Sequence, residues 1–212
     1  MTSSADSILA SVRGYYAARL AEFGPQPCGV DWSTPHSQRL RFEKLLGVID
    51  QERPFSLNDW GCGYGALLDY LAEAGGCTNY VGYDISEEMI LAARERHGGS
   101  LATHAFVCNE QELRRAQFTV ASGVFNVKLS YPDAQWAEYM AVTVDRMAAL
   151  SERGFAFNAL SLYSDPERRR PDLYYADPAY WFDYCKTKHS RFVTLVHDYP
   201  LWEFTLIIRR QP

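Results

Sequence analysis

Three glycines between an apolar run and a helical pattern constrain this chain more than any other feature. Phe55–Trp60 is an apolar run of strand length, and Gly61, Gly63 and Gly65 follow it directly. Leucines then recur at helical spacing through Gly65–Ala74. A strand, a tight glycine turn and a helix in this order predict one unit of an α/β fold. The N-terminus of that helix would present free amides to a ligand.

The same alternation of strand-like and helical patterns continues along the chain. Strand-like runs lie at Tyr80–Tyr83, Ala105–Cys108, Phe118–Val124 and Gly154–Leu160, and helical segments at Ser86–Arg96, Glu110–Ala116 and Asp133–Ser151. This order predicts parallel strands joined by right-handed crossovers. Two last runs, Arg191–Asp198 and Trp202–Arg210, are joined by too few residues for a crossover helix, so they must form an antiparallel hairpin. One alternating set of the last run is apolar, and the other, Glu203, Thr205, Ile207 and Arg209, is not cleanly polar, which predicts a strand covered on both faces.

The predicted fold is therefore α/β. We expect a doubly wound, seven-stranded, mostly parallel sheet with a C-terminal antiparallel hairpin and helices on both faces. With 212 residues, the chain is predicted to form a single domain, 1–212. Residues 1–50 have a helical pattern and are predicted to form an N-terminal lid. Residues 161–190 are predicted to be an aromatic-rich insertion over the active site, because ligands of such sheets bind at the carboxyl ends of the strands.

Composition excludes several classes of protein. The chain has 21 Lys and Arg against 26 Asp and Glu, a net charge of −5, so no basic footprint indicates a nucleic-acid partner. Its five cysteines are scattered, with no paired spacing and no histidine cluster, so we expect neither a disulfide framework nor a metal site. We find no signal peptide and no apolar run long enough to span a membrane, which predicts a cytoplasmic protein.

The glycine loop alone is compatible with two kinds of cofactor. Gly61, Gly63 and Ala66 also fit the looser dinucleotide-binding pattern. Asp84, at the end of the second predicted strand, would bind ribose hydroxyls in either case. Asp59, just before the loop, would repel a pyrophosphate but suits a cationic ammonium or sulfonium group. The helical lead-in of about fifty residues and the terminal hairpin are also not expected of a dinucleotide-binding unit.

With these features the chain resembles the class I S-adenosylmethionine-dependent methyltransferases. The resemblance covers residues 37–210 and depends on Asn58–Gly65, Val81–Ser86 and the seven-strand order with its reversed hairpin. It implies S-adenosylmethionine as the cofactor. The implied cofactor-binding residues are Asp59, Gly61, Cys62, Gly63 and Gly65 in the loop, Asp84 at the ribose, Ile85 and Met89 beside the adenine, Asn109 and Glu110 at its amino group, and Ser122 and Gly123 facing the transferable methyl. Asn109 is equally compatible with a helix cap.

The substrate is predicted less directly than the cofactor. The segment after the fourth predicted strand, Phe125–Lys128, lacks both the Asn-Pro-Pro-Tyr run of base amino-group methylation and the Pro-Cys nucleophile of cytosine methylation. We therefore expect in-line methyl transfer to oxygen or nitrogen of a small molecule. Two alternatives stay open, a non-catalytic binding protein with a methyltransferase fold and an NAD-dependent oxidoreductase.

Several side chains are candidates for substrate contacts and catalysis. Candidate substrate contacts are Trp32, Asn126, Tyr163 and Tyr175. Arg41 is placed to meet the cofactor's carboxylate. His36 is a conceivable base, although a lone histidine at a helix start is more often a surface residue.

Overall fold

A computed structural model of the chain describes residues 4–49, 54–98 and 103–211. One seven-stranded sheet organises it, in the order β3-β2-β1-β4-β5-β7-β6. The strands are β1 (Phe55–Trp60), β2 (Cys77–Tyr83), β3 (His104–Val107), β4 (Ala116–Ala121), β5 (Ser151–Leu160), β6 (Phe192–Val196) and β7 (Glu203–Arg209). The first five pair in parallel, and β7 is antiparallel to both β5 and β6. The predicted sheet and its terminal hairpin are confirmed.

In the part of the chain that the structure describes, six helices cover the two faces of the sheet. They are α1 (Ser4–Phe23), α2 (Pro35–Leu46), α3 (Ala66–Ala74), α4 (Glu87–His97), α5 (Asp133–Leu150) and α6 (Pro178–Lys188). Apolar residues of α2, α3 and α4 build one core cluster, and those of α1, α5 and α6 build the other. Within the described ranges, no helix is long and apolar enough to cross a membrane. The extreme ends of the predicted 1–50 segment lie outside the described residues.

Local capping signals explain where several helices begin. Thr34 caps α2, and its hydroxyl accepts the backbone N–H of Ser37 in a reciprocal capping box. Ser86 caps α4, and the Asp177 carboxylate accepts two amides at the start of α6. As expected from its sequence, β7 is covered on both faces, since all of its residues except the last are buried.

Two predicted elements differ from the observed ones. The helix predicted over Glu110–Ala116 is a single 3₁₀ turn, Glu110–Glu112, because Ala116 already belongs to β4. β4 ends at Ala121 rather than Val124, because Gly123 turns the chain with φ of +75°. The order of the strands reverses between β1 and β4, and the carboxyl ends of these two strands open the crevice in which such folds bind ligands.

Candidate functional site

The loop after β1 has a left-handed backbone that favours glycine. φ is +77° at Gly61 and +53° at Gly63. A Cβ at Gly61 would lie 2.5 Å from Cγ2 of Val124, so no side chain fits there without displacing the loop after β4. The amides of Gly61 and Cys62 donate to the carbonyl of Tyr83 at 2.7 and 2.9 Å. These bonds fix the loop to the end of β2.

Asp84 links the glycine loop to the start of α4. One carboxylate oxygen accepts the backbone N–H of Gly63 and the other accepts that of Ser86, both at 2.9 Å. Burial raises the pKa of Asp84, and the amides of Ser86 and Gly63 oppose that rise because they stabilise the ionised form. The carboxylate is thereby held at the edge of the crevice with further acceptor capacity for a ligand.

Asp59 lies deeper, at the end of β1. Its side chain is 2% exposed, and one oxygen accepts the hydroxyl of Tyr80 at 2.7 Å. Burial raises the pKa of Asp59 to about 7, and the hydrogen bond from Tyr80 opposes the rise. A carboxyl group with this pKa carries only part of a negative charge at neutral pH.

The opposite wall is formed by the loop after β4. The Gly123 amide donates to Oδ1 of Asn158 at 2.7 Å. A Cβ on Gly123 would lie 2.4 Å from Cζ2 of Trp32, so the indole occupies the space that glycine leaves. The Ser122 hydroxyl is buried and has no hydrogen-bond partner within the described part of the chain. This hydroxyl therefore keeps its capacity to donate and accept a hydrogen bond, for a ligand or a water molecule.

These walls enclose a cavity with about 840 Å³ of empty space, its open mouth included. Ten of the residues proposed from sequence line it: Trp32, Asp59, Gly61, Cys62, Gly63, Asp84, Ile85, Met89, Ser122 and Gly123. The N-terminal part of the chain adds Val12, Tyr16 and Val30, and α2 adds Gln38 and Phe42. Gly65 is not in the wall; it is the N-cap of α3.

Sequence reasoning missed some lining residues. Tyr139 reaches the cavity from α5, one turn after the fully buried Trp136. Tyr64 and Gln38 also line it and hydrogen-bond to each other at 3.1 Å. The helical spacing of α5 does place Tyr139 beside the apolar stripe of that helix. The same spacing is found for residues that only pack in the core, so it does not identify Tyr139 as a cavity residue.

Arg41 does not line the cavity. Its Nε lies 2.8 Å from Oε1 of Glu203, and its guanidinium stacks on Trp32 with 3.8 Å between Cζ and the ring centroid. The geometry therefore places Arg41 in a buried ion pair behind the wall instead of at a cofactor carboxylate. His36 is exposed in the first turn of α2 and is not among the residues that line the cavity.

Three other proposed residues have local structural partners instead of cavity contacts. The Asn109 side chain accepts the amide of Gln111, which is the cap that its sequence also allowed. Glu110 forms an ion pair with Arg146. Asn126 accepts the amide of Leu160 at 3.2 Å, and so it ties the loop after β4 to the end of β5.

None of the residues of the aromatic segment 161–190 is in the cavity wall, but residues 172–174 are hydrogen-bonded through their backbone to the loop after β4. Tyr163 is 70% exposed, and the Tyr175 hydroxyl accepts the backbone amide of Arg170. Trp181 is buried in the core, and Tyr184 donates to Asp145 of α5. The helix of the segment, α6, packs on β6 and β7 at the edge of the sheet. The position of the rest of the segment over the active site stays a prediction.

Comparison with known proteins identifies the family. The model of a family described as a methyltransferase domain matches residues 59–149. The chain is 48% identical over 165 residues to Rv1506c of Mycobacterium tuberculosis (strain ATCC 25618 / H37Rv), which is named as a methyltransferase; the match covers 78% of this chain and 99% of that relative. This chain belongs to the class I S-adenosylmethionine-dependent methyltransferases.

Solved methyltransferase structures share the fold. Magnesium protoporphyrin IX methyltransferase from Synechocystis PCC 6803, with bound S-adenosylmethionine, gives a TM-score of 0.66 at 17% identity, covering 100% of this chain and 99% of that one. The 1,6-didemethyltoxoflavin-N1-methyltransferase of Burkholderia thailandensis gives a TM-score of 0.66 at 20% identity, covering 100% and 92%. At these identities the likeness extends to the fold alone.

The residues of this methyltransferase's cavity fit the family's cofactor. The glycine cradle leaves room where a Cβ at Gly63 would lie 3.3 Å from Val30, and the Ser122 hydroxyl lacks a partner. No Lys, Arg or His is among the lining residues that the structure describes, which suits a cationic sulfonium. Among the described ranges, no group of three or more His, Cys, Asp and Glu could hold a metal ion. Bound S-adenosylmethionine would supply an electrophilic methyl carbon, to which an in-line nucleophile would bond as the carbon–sulfur bond breaks and S-adenosylhomocysteine leaves.

The phenols of the cavity stay protonated at neutral pH. Burial raises the pKa of Tyr139 to about 12, and it raises the pKa values of Tyr16 and Tyr83 further. These side chains can donate hydrogen bonds to a ligand, but they cannot remove a proton from a nucleophile.

Proposed function

We propose that this methyltransferase transfers the methyl group of S-adenosylmethionine to a nitrogen or oxygen atom of a small molecule. The observation that carries the proposal is the cover of the crevice: Val12, Tyr16, Val30 and Trp32 of the N-terminal segment line the same cavity as the glycine loop. A site lined from both sides by one chain suits a small ligand better than a polymer. The net charge of −5 agrees, since it offers no attraction to a nucleic-acid backbone.

Within this proposal the cofactor lies along the two walls. Asp84 binds the ribose hydroxyls, and Ile85 and Met89 pack beside the adenine. The glycine loop holds the methionine part, and Ser122 and Gly123 face the transferable methyl group. Residues 1–50 act as a lid that excludes water from the reacting atoms.

The lining favours a nucleophile that can attack the methyl group without first losing a proton to a base. The buried tyrosines are protonated, and the Asp59 carboxyl lies below the loop, where it is held by Tyr80. An alcohol would need a base to take its proton, whereas a neutral amine or ring nitrogen needs only correct placement. One structural relative, the 1,6-didemethyltoxoflavin-N1-methyltransferase named above, acts on nitrogen according to its name.

The test is transfer of a radiolabelled methyl group from S-adenosylmethionine into a fractionated cell extract. We expect label in metabolites below about 1 kDa and none in the protein and RNA fractions. The Asp84→Asn variant is expected to lose this transfer, and Glu87→Gln, which changes an exposed acid three residues further along, is expected to keep it. Label confined to the macromolecular fractions would overturn the small-molecule assignment.

A calorimetric titration tests the cofactor separately. We expect heat of binding with S-adenosylmethionine and S-adenosylhomocysteine and none with NAD. Heat of binding with NAD, and none with either sulfur compound, would contradict the cofactor assignment and favour the oxidoreductase alternative.

A further inference from the structure

A buried carboxylate that the cofactor site does not use lies behind the cavity wall. Glu203, the first residue of β7, is fully buried. Both of its oxygens lie within reach of Nε of Arg41, at 2.8 and 3.0 Å, and Arg41 is 7% exposed. Arg41 also donates to the carbonyl of Ser37 at 2.9 Å, which fixes its position on α2.

From Glu203 a chain of hydrogen bonds leads to the loop after β4. Asn158 on β5 donates from Nδ2 to Oε1 of Glu203 at 3.2 Å. The Oδ1 atom of the same side chain accepts the Gly123 amide at 2.7 Å. The orientation of the Asn158 amide is thus set by Glu203 on one side and by Gly123 on the other.

From Arg41 a second path leads to the same loop. The guanidinium stacks on the Trp32 ring, and the edge of that ring fills the space beside Gly123. Trp32, Arg41, Gly123, Asn158 and Glu203 therefore form a closed ring of contacts, here termed the Arg41–Glu203 network. Only Trp32 and Gly123 of this network line the cavity.

Stability alone is a weak reason for such a network. Removing two charges from water is costly, and well-packed apolar residues in place of a buried ion pair often leave stability unchanged or improve it. Burial raises the pKa of Glu203, and Arg41 and Asn158 oppose that rise, which is the balance expected for a carboxylate held ionised by its partners. What the ion pair adds is a fixed geometry for two cavity residues from distant segments.

We propose that Arg41 and Glu203 are positioning residues of the methyl-transfer site. They hold Trp32 against Gly123 and thereby fix the wall from which the unpartnered Ser122 hydroxyl meets the ligand. This inference rests on the cofactor cavity and not on the identity of the methyl acceptor.

A neighbouring ion pair provides a matched control. Arg39, two residues before Arg41 on α2, pairs with Glu73 at 2.8 Å and stacks on Tyr70. Its chemistry is that of the Arg41–Glu203 pair, but its side chains are 51% and 62% exposed and lie away from the cavity. When each pair is replaced by two methionines, the loss of a buried Arg–Glu pair behind the cavity wall can be compared with the loss of an exposed Arg–Glu pair away from it.

The experiment measures S-adenosylhomocysteine affinity by calorimetry and the melting temperature of each double variant. For Arg41→Met with Glu203→Met we expect a melting temperature near that of the wild type and a dissociation constant about tenfold higher, which corresponds to the loss of one well-placed hydrogen bond. Amide exchange of Gly123 is expected to accelerate, because Asn158 is no longer oriented. Arg39→Met with Glu73→Met is expected to match the wild type in all three measurements.

A second variant keeps the proposal testable if the double variant does not fold. Arg41→Lys retains the charge pair but cannot stack its plane on Trp32, and we expect it to bind S-adenosylhomocysteine at least threefold more weakly. Wild-type affinity in either folded variant, with unchanged exchange at Gly123, would overturn the positioning role. A wild-type protein that itself bound no S-adenosylhomocysteine would instead contradict the cofactor assignment.

Discussion

Replacing Asp84 with asparagine separates the two roles that the structure gives this carboxylate. In the wild type its two oxygens accept the amides of Gly63 and Ser86, both at 2.9 Å. The asparagine side chain has one oxygen and one NH₂ group, so one of the two amides loses its acceptor and faces another donor. Since a hydrogen bond to a charged group contributes about 1.5–3 kcal/mol, we expect the free energy of unfolding to fall by about that amount.

The same substitution is expected to weaken the binding of the cofactor. If the Asp84 carboxylate binds the ribose, its loss costs a further charge-assisted bond in the complex, roughly a 10- to 150-fold rise in the dissociation constant. In a domain of this size 1 kcal/mol corresponds to about 2–4 °C, so the free variant is expected to melt roughly 3–12 °C below the wild type.

Scanning calorimetry with and without S-adenosylhomocysteine distinguishes the two losses. At a ligand concentration about 100 times the wild-type dissociation constant, binding adds about 2.7 kcal/mol to the wild type. A variant that binds 100-fold more weakly gains only about 0.4 kcal/mol under the same conditions. Glu87→Gln is expected to keep the full gain. An Asp84→Asn protein that melts lower but keeps the whole ligand-induced gain would refute the ribose role, because only the folding role would then be lost.

Two further predictions concern the walls of the cavity. Gly123→Ala places a Cβ on the Trp32 ring at a left-handed backbone position, so we expect urea unfolding to show a free energy of unfolding about 2–5 kcal/mol lower than that of the wild type. As the control, Gly14→Ala in α1, where the space is open, is expected to raise the free energy of unfolding by about 0.5–1 kcal/mol. Equal stabilities of the two variants would contradict the packing argument. Asp59 has its pKa raised from 3.8 to about 7, so the folded protein keeps a proton that the unfolded chain loses, and wild-type stability falls as pH rises through this range. The stability of Asp59→Asn relative to the wild type is therefore expected to increase from pH 4 to pH 7, and parallel pH profiles of the two proteins would count against this.

The elements that sequence predicted well are those with short-range causes. The glycine loop needs left-handed backbone at Gly61 and Gly63, and no other residue type supplies that without strain. The hairpin followed from a link of three residues, because such a link leaves no room for a crossover. Asp84 was predicted at the end of β2 from the same local reasoning, and the structure places it on the cavity wall.

The aromatic segment 161–190 could not be placed in this way. Its tyrosines and Trp181 follow β5, and a position after a parallel strand is typical of a ligand-binding loop. The order of the strands places only its helix elsewhere: β7 inserts between β5 and β6, so α6 packs on β6 and β7 at the edge of the sheet, while residues 172–174 lie beside the loop after β4. That insertion is a long-range pairing, and the local pattern of residues 161–190 does not contain it.

The assignment of Arg41 failed for a related physical reason. Glu203 carried a readable signal, since a carboxylate in a strand covered on both faces needs a cation beside it. The chain offers 21 Lys and Arg, however, and the partner lies 162 residues away. Arg41 is that partner because α2 packs across β5 and β7, which brings its buried face onto the start of β7. The guanidinium that sequence reasoning assigned to the cofactor's carboxylate thus meets a carboxylate of the protein itself, and its effect on the cofactor passes through Trp32 and Gly123.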